Sequence, residues 1–83
     1  MRAREEARAA WRKNYRTEPL PVVLDCIASW RGRFREGVIS EAVNMAALRG
    51  AASPVDYVIT LLKDWSIHGL RTAEDVDEYI DSS

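Results

Sequence analysis

The side chains that could do chemistry in this chain are mainly arginines and aromatics. Arg4, Arg8, Arg12 and Arg16 recur at four-residue steps. On a helix that spacing sets them about 6 Å apart, comparable to the interval between phosphates on one strand. Such a ladder repels itself by about a few tenths of a kcal/mol per pair, so it reads either as a surface kept for an anionic partner or as a solvated face. Arg31, Arg33 and Arg35 alternate with Gly32 and Phe34. A turn of this kind could clamp a phosphate and stack a base, unless Phe34 plugs the core. Tyr57, Leu61 and Trp65 stand at i, i+4 and i+8 and make one ridge along a helix. Aromatic faces stack on bases at about 1–3 kcal/mol each; the competing reading is that the ridge is core, which large aromatics dominate.

Catalytic chemistry is not expected. The chain has one histidine, His68, and one cysteine, Cys26, which excludes a disulfide framework and a multi-cysteine or multi-histidine metal site. Cys26 is placed on an apolar helix face as a buried, inert thiol. Ser53 and Thr72 are explained as helix caps, His68 sits at a helix end that favours a cation, and no glycine-rich phosphate loop is present. The acids Glu74, Asp75, Asp77, Glu78 and Asp81 lack the glycine pattern of a calcium loop. They read as a solvated face or as a surface that another subunit's arginines meet. No metal or cofactor is expected.

Eighty-three residues, 47% hydrophobic and 30% charged, make one soluble helical domain. The net charge of −1 conceals a polarity: residues 1–49 carry net +4 and residues 50–83 net −5. A bipolar chain can stack head to tail, but it has no strong unaided grip on duplex DNA. No apolar run approaches membrane-spanning length, so a cytoplasmic protein without a membrane partner is expected.

Apolar residues recur at three and four positions rather than alternating, which predicts an all-α bundle of about five short helices. The first runs from Arg2 to Tyr15, with Ala3, Ala7, Ala10, Trp11 and Tyr15 on one side, and Pro19 and Pro21 stop it. Pro21 opens the second, whose apolar face is Val22, Val23, Cys26, Ile27 and Trp30, with Gly32 as a left-handed terminator. The third runs from Phe34 to Arg49, with Gly37 inside it and Val38, Ile39, Ala42, Val43, Met45 and Ala46 inward. The fourth, residues 54–68, is capped by Ser53-Pro54 and closed by a Schellman turn at Gly69-Leu70. It is apolar round more than half of its circumference and is therefore expected to be the central helix. Thr72 caps a fifth with Val76, Tyr79 and Ile80 inward.

Tyr57-Val58-Ile59-Thr60-Leu61-Leu62-Lys63-Asp64-Trp65 and His68-Gly69-Leu70-Arg71-Thr72-Ala73-Glu74-Asp75-Val76 resemble the C-terminal homology domain of the DnaD/DnaB replication-initiation proteins. The family's hallmark is Tyr-x-x-x-Ile-x-x-x-Trp followed by Gly-Ile/Leu-x-Thr-x-Glu-Asp/Glu-Val. Trp11-Arg12-Lys13-Asn14-Tyr15 with Pro19-Leu20-Pro21 is similar to its opening, Trp30 to a helix-closing tryptophan, and Val38-Ile39 with Ala42 to its next helix. Three positions depart: Leu61 replaces isoleucine, Arg16-Thr17-Glu18 stands where a glycine is usual, and Phe34-Arg35-Glu36 stands where Ser-Pro-Glu is common.

The resemblance implies a bacterial or phage primosome protein that binds single-stranded DNA weakly and helps load the replicative helicase. Its implied partners are DNA, a helicase or its loader, and other copies of itself. In the family the Tyr57–Leu61–Trp65 ridge is associated with single-stranded DNA, and Lys63 and Arg71 draw interest because they flank that motif. Such domains usually end a longer chain, so a single domain over 1–83, part of a larger protein and with 1–10 as a projecting helical extension, is expected. The alternative is an interaction or oligomerisation adaptor without a nucleic-acid role, its basic first helix docking on the acidic tail of a neighbour.

Overall fold

The computed structural model describes residues 3–30 and 32–82; Arg31, one of the expected cations, and Arg2, the expected first helical residue, lie outside them. Five helices follow one another: α1 (Ala3–Tyr15), α2 (Pro21–Ala28), α3 (Val38–Leu48), α4 (Pro54–Ile67) and α5 (Ala73–Ser82), with no extended strand among the described residues. α3 packs on α1, α4 and α5, while α2 bridges α1 and α4. The core joins Ala7 and Ala10, Leu24 and Ile27, five residues of α3, and Val58, Leu62, Trp65 and Val76.

The centre therefore lies on α3 as much as on α4. Val38, Ile39, Ala42, Val43 and Ala46 are all buried on α3, whereas α4 buries Val58, Leu62 and Trp65 and leaves Tyr57, Ile59 and Leu61 half-covered. Two alanines on the buried side of α3 allow other helices to approach it closely, which the larger side chains of α4 do not. The stretch 1–10 does not project over its described residues, because Glu6, Ala7 and Ala10 are buried where α1 runs along α3.

The glycine stop of α4 behaves as the sequence predicts. Leu70 N–H donates to the Trp65 carbonyl at 2.9 Å and Gly69 N–H to Ser66 at 3.1 Å, the paired bonds of a Schellman ending. The same pair closes α3, from Ala51 to Ala46 and from Gly50 to Ala47. The start of α5 is also as expected and has a reciprocal partner. Asp75 N–H donates to Thr72 Oγ1 at 3.0 Å, and the Asp75 carboxylate accepts from the amides of Arg71 and Thr72, an arrangement of the capping-box type.

Hydrogen bonds to the backbone amides of Arg71 and Thr72 hold the Asp75 carboxyl below the usual carboxylate range. The stability this adds is complete above the unfolded carboxylate pKa and is lost as pH falls through the lower folded value. Asp75→Asn should therefore flatten the acid side of a urea-midpoint profile between about pH 5 and pH 2 and leave its neutral-to-alkaline shape unchanged.

Three local expectations are corrected. α2 turns Leu24 and Ile27 inward and leaves Val22 and Cys26 exposed, so the thiol is on the surface. Two overlapping apolar arcs compete in this eight-residue helix, and the one containing the larger Leu24 is buried. α3 begins at Val38 rather than Phe34, because Gly37 takes a left-handed φ of 99° and is the N-cap. Ser53 precedes Pro54 as expected, but its side chain makes no capping bond. The turn after α1, where the family's usual glycine is absent, differs as that departure implies and places Arg16 at φ 57°, the one non-glycine described at positive φ. Arg16→Gly should stabilise the domain by about 1 kcal/mol, read as a higher thermal midpoint, because a β-carbon is unfavourable there.

Candidate nucleic-acid interface

The arginine ladder is committed internally. Arg8 Nε and Arg12 Nε each lie 3.0 Å from one oxygen of Glu18, so a single carboxylate clamps two successive rungs. Arg4 pairs with Asp25 of α2. The pairs are half-exposed and contribute little to stability, but their two carboxylates offset half of the ladder's charge. Arg16 remains exposed at the helix end. No sequence pattern announces the clamp, since Glu18 comes back over Arg8 and Arg12 only after the chain has turned at Arg16.

The aromatic ridge divides. Trp65 is 1% exposed, while Tyr57 and Leu61 are half-buried and packed against the core. A base cannot stack on an indole enclosed in this way. α4 rotates slowly along an i, i+4, i+8 line, so the line begins near an edge and ends deep between helices.

What the fold does bring together is a groove at the far end of α4. Gly32 and Arg33, from the connection before α3, face Ser66, Gly69, Leu70 and Arg71, from the end of α4 and the turn after it, around a space of about 340 Å³. The two connections are tied by Arg35 N–H donating to the Arg71 carbonyl at 2.7 Å. Arg33 lies 5.6 Å from the centre of the Trp30 ring, and its Nη1 reaches Ser66 Oγ at 3.4 Å. Trp30 in turn packs on Phe34, with ring centres 6.3 Å apart. Phe34 is thus half-buried against the core, and the guanidinium, indole and phenyl groups form one tier. Lys63 is exposed one turn before Ser66 on the same side of α4.

Arg33 and Arg71 stand in part where the negative end of α4 favours cations, which is a structural use of the same charge. Arg35, Lys63 and Arg71 are exposed and make no side-chain ion pair with a described residue, so they are open to an anion. Arg33 and Arg71 belonged to separate groups in the sequence and meet only in the fold; Ser66 is the added member, a hydroxyl with no earlier signal. His68 is not in the groove. Its Nδ1 lies 2.9 Å from the Asp64 carbonyl, and its ring sits on Tyr79, whose hydroxyl donates to Asp64 at 3.2 Å. Among the described residues no cluster of histidine, cysteine and acids could hold a metal ion.

The five helices thus enclose one core and set a cationic, aromatic-backed groove at the far end of α4. Residues 9–80 match the DnaB_2 family, described as replication initiation and membrane attachment. The match takes in nearly the whole chain, and the chain belongs to this family. No curated protein and no solved structure matches it. Among the described residues no helix is long and apolar enough to cross a membrane.

Proposed function

We propose that this domain is a replication-initiation module that binds single-stranded DNA weakly through the Arg33–Arg71 groove and helps assemble the proteins that load a helicase. The observation that supports this most is the meeting of Arg33 and Arg71 across one groove, with exposed Arg35 and Lys63 beside it. In the proposed mode the guanidinium groups and the Ser66 hydroxyl bind phosphate oxygens, and a base lies against the accessible edge of Trp30 or Phe34. Weak affinity per copy follows from a net charge of −1, and several copies on one strand would raise it through effective concentration. No reaction is proposed for the domain.

The test is fluorescence anisotropy of a labelled oligothymidylate across a salt series. Replacing Arg33 and Arg71 by glutamine should weaken binding at low salt by about tenfold or more, since each charge-assisted hydrogen bond contributes about 1.5–3 kcal/mol before competing costs. It should also lower the slope of log affinity against log salt by about 1.4, two contacts at about 0.7 each on a single strand. An unchanged slope in a folded double variant would remove the groove from DNA binding.

A further inference from the structure

A second groove lies between α3 and α5, and its character is opposite to the first. Glu41, Met45, Leu48 and Arg49 of α3 and its end face Asp77, Ile80 and Asp81 of α5 around a space of about 360 Å³. Met45, Leu48 and Ile80 supply the apolar part of its lining, and Leu48 is 85% exposed, the most exposed large apolar residue among the described residues. Glu41 stands on the α3 side, with Asp77 and Asp81, one turn apart, on the α5 side. None of these three carboxylates forms an ion pair with a described residue, although Arg49 lines the same groove. Burial above all, and then the neighbouring Asp77 charge, push the Glu41 carboxyl up.

We infer that the α3–α5 groove is a docking site for an amphipathic helix of a partner protein, apolar on one face and lysine- or arginine-rich along its edges. The trough between two helices has the form that receives a third, and helix-in-groove recognition is read through apolar anchors at i, i+3 and i+4. Leu48 and Met45 on one wall and Ile80 on the other would meet such anchors, while the acids on both sides would meet the cations flanking them. The acids disfavour a nucleic acid at this groove. A second copy of the chain is disfavoured as well, because its basic helix α1 already spends Arg4 on Asp25 and Arg8 and Arg12 on Glu18.

The probe is a fluorescein-labelled 18-residue helix of leucine and lysine with leucines at i, i+3, i+4 and i+7, compared with a scrambled peptide of the same composition. Anisotropy at low salt should show binding of the amphipathic peptide and at least about tenfold weaker binding of the scrambled one. Leu48→Ser and the pair Asp77→Lys with Asp81→Lys lie at exposed positions and should each reduce the affinity by about tenfold or more, with the circular dichroism of the domain unchanged. Equal affinity for the two peptides, or indifference to either variant, would overturn the inference. So would a dimer in sedimentation velocity that the double lysine variant dissociates, because the occupant would then be a second copy.

Discussion

Glu6→Ala should lower the stability of the domain by about 2–3 kcal/mol, a shift of roughly 10–20 °C in thermal midpoint for a chain this small. The reason is a carboxylate on α1 that does the work of an N-cap for α3. Glu6 is buried, and its Oε2 accepts from Gly37 N–H at 3.1 Å, Ser40 N–H at 2.8 Å and Ser40 Oγ at 2.9 Å. Gly37 has no side chain with which to satisfy the free amides at the start of α3, so the neighbouring helix supplies the acceptor. The negative charge also faces the positive end of the α3 dipole. Alanine would leave two amides and a hydroxyl without their acceptor in a closed space. Glu6→Gln retains one acceptor oxygen but replaces the other by a donor, and should cost less. Circular dichroism melts of both variants check the order, and amide exchange at Ser40 should quicken in each. An Ala variant that melts with the parent protein would contradict this account of how α1 is held to α3.

Trp65→Ala should cost about 3–5 kcal/mol and leave little folded protein, since the core of a domain this small supplies a net stability of only about that size. Trp65 is the largest fully buried side chain, and alanine would leave a cavity where α4 meets the rest of the core. Trp65→Phe keeps an aromatic filling and should fold with a lower midpoint. The functional consequence is specific. DNA binding lost in Trp65→Ala should disappear together with the helical signal, while Trp65→Phe, under conditions where it is folded, should bind oligothymidylate like the parent chain. A folded phenylalanine variant that has lost DNA binding would return the indole to the interface.

Much of the bundle is legible before folding, and the reasons are local. α4 carries its own punctuation in Pro54 at its first turn and in Gly69-Leu70, and α5 carries its cap in Thr72 and Asp75; these signals act within one turn of chain. The inward positions of α3 follow from a periodicity that nothing nearby contradicts. Most of the failures are decided by partners distant in sequence; the missing side-chain cap at Ser53 is a local one. Gly37 reads as a costly residue inside a helix until Glu6, thirty-one positions earlier, is seen to cap the helix that starts after it. Glu6 itself reads as an ordinary first-turn acid. The arginine ladder reads as open charge until Glu18 folds back between two of its rungs. The exposed Cys26 shows the limit of the helical wheel, because on so short a helix the choice of buried arc is made by what the other helices present.

The candidate groove was legible in its residue types and illegible in its arrangement. The basic turn and the two cations flanking the central motif are visible in the chain as separate features, and only the bond from Arg35 to Arg71 joins their loops into one wall. The aromatic ridge was the opposite case: a clear pattern along one helix whose deepest member, Trp65, belongs to packing. Asn14 is similar. It lies in the resemblance to the family's opening, and here its side-chain amide donates to Asn44 of α3 and to the Ala10 carbonyl, fastening α1 to α3.

The most direct measurement is an amide and indole chemical-shift map of the isotope-labelled domain during titration with a short oligothymidylate. If the strand lies in the groove between the two loops, the amides of Gly32, Arg33, Gly69 and Arg71 move together and saturate at one affinity, while the Trp65 indole signal stays in place. A titration that shifts the Trp65 indole and leaves those four amides still would contradict the account.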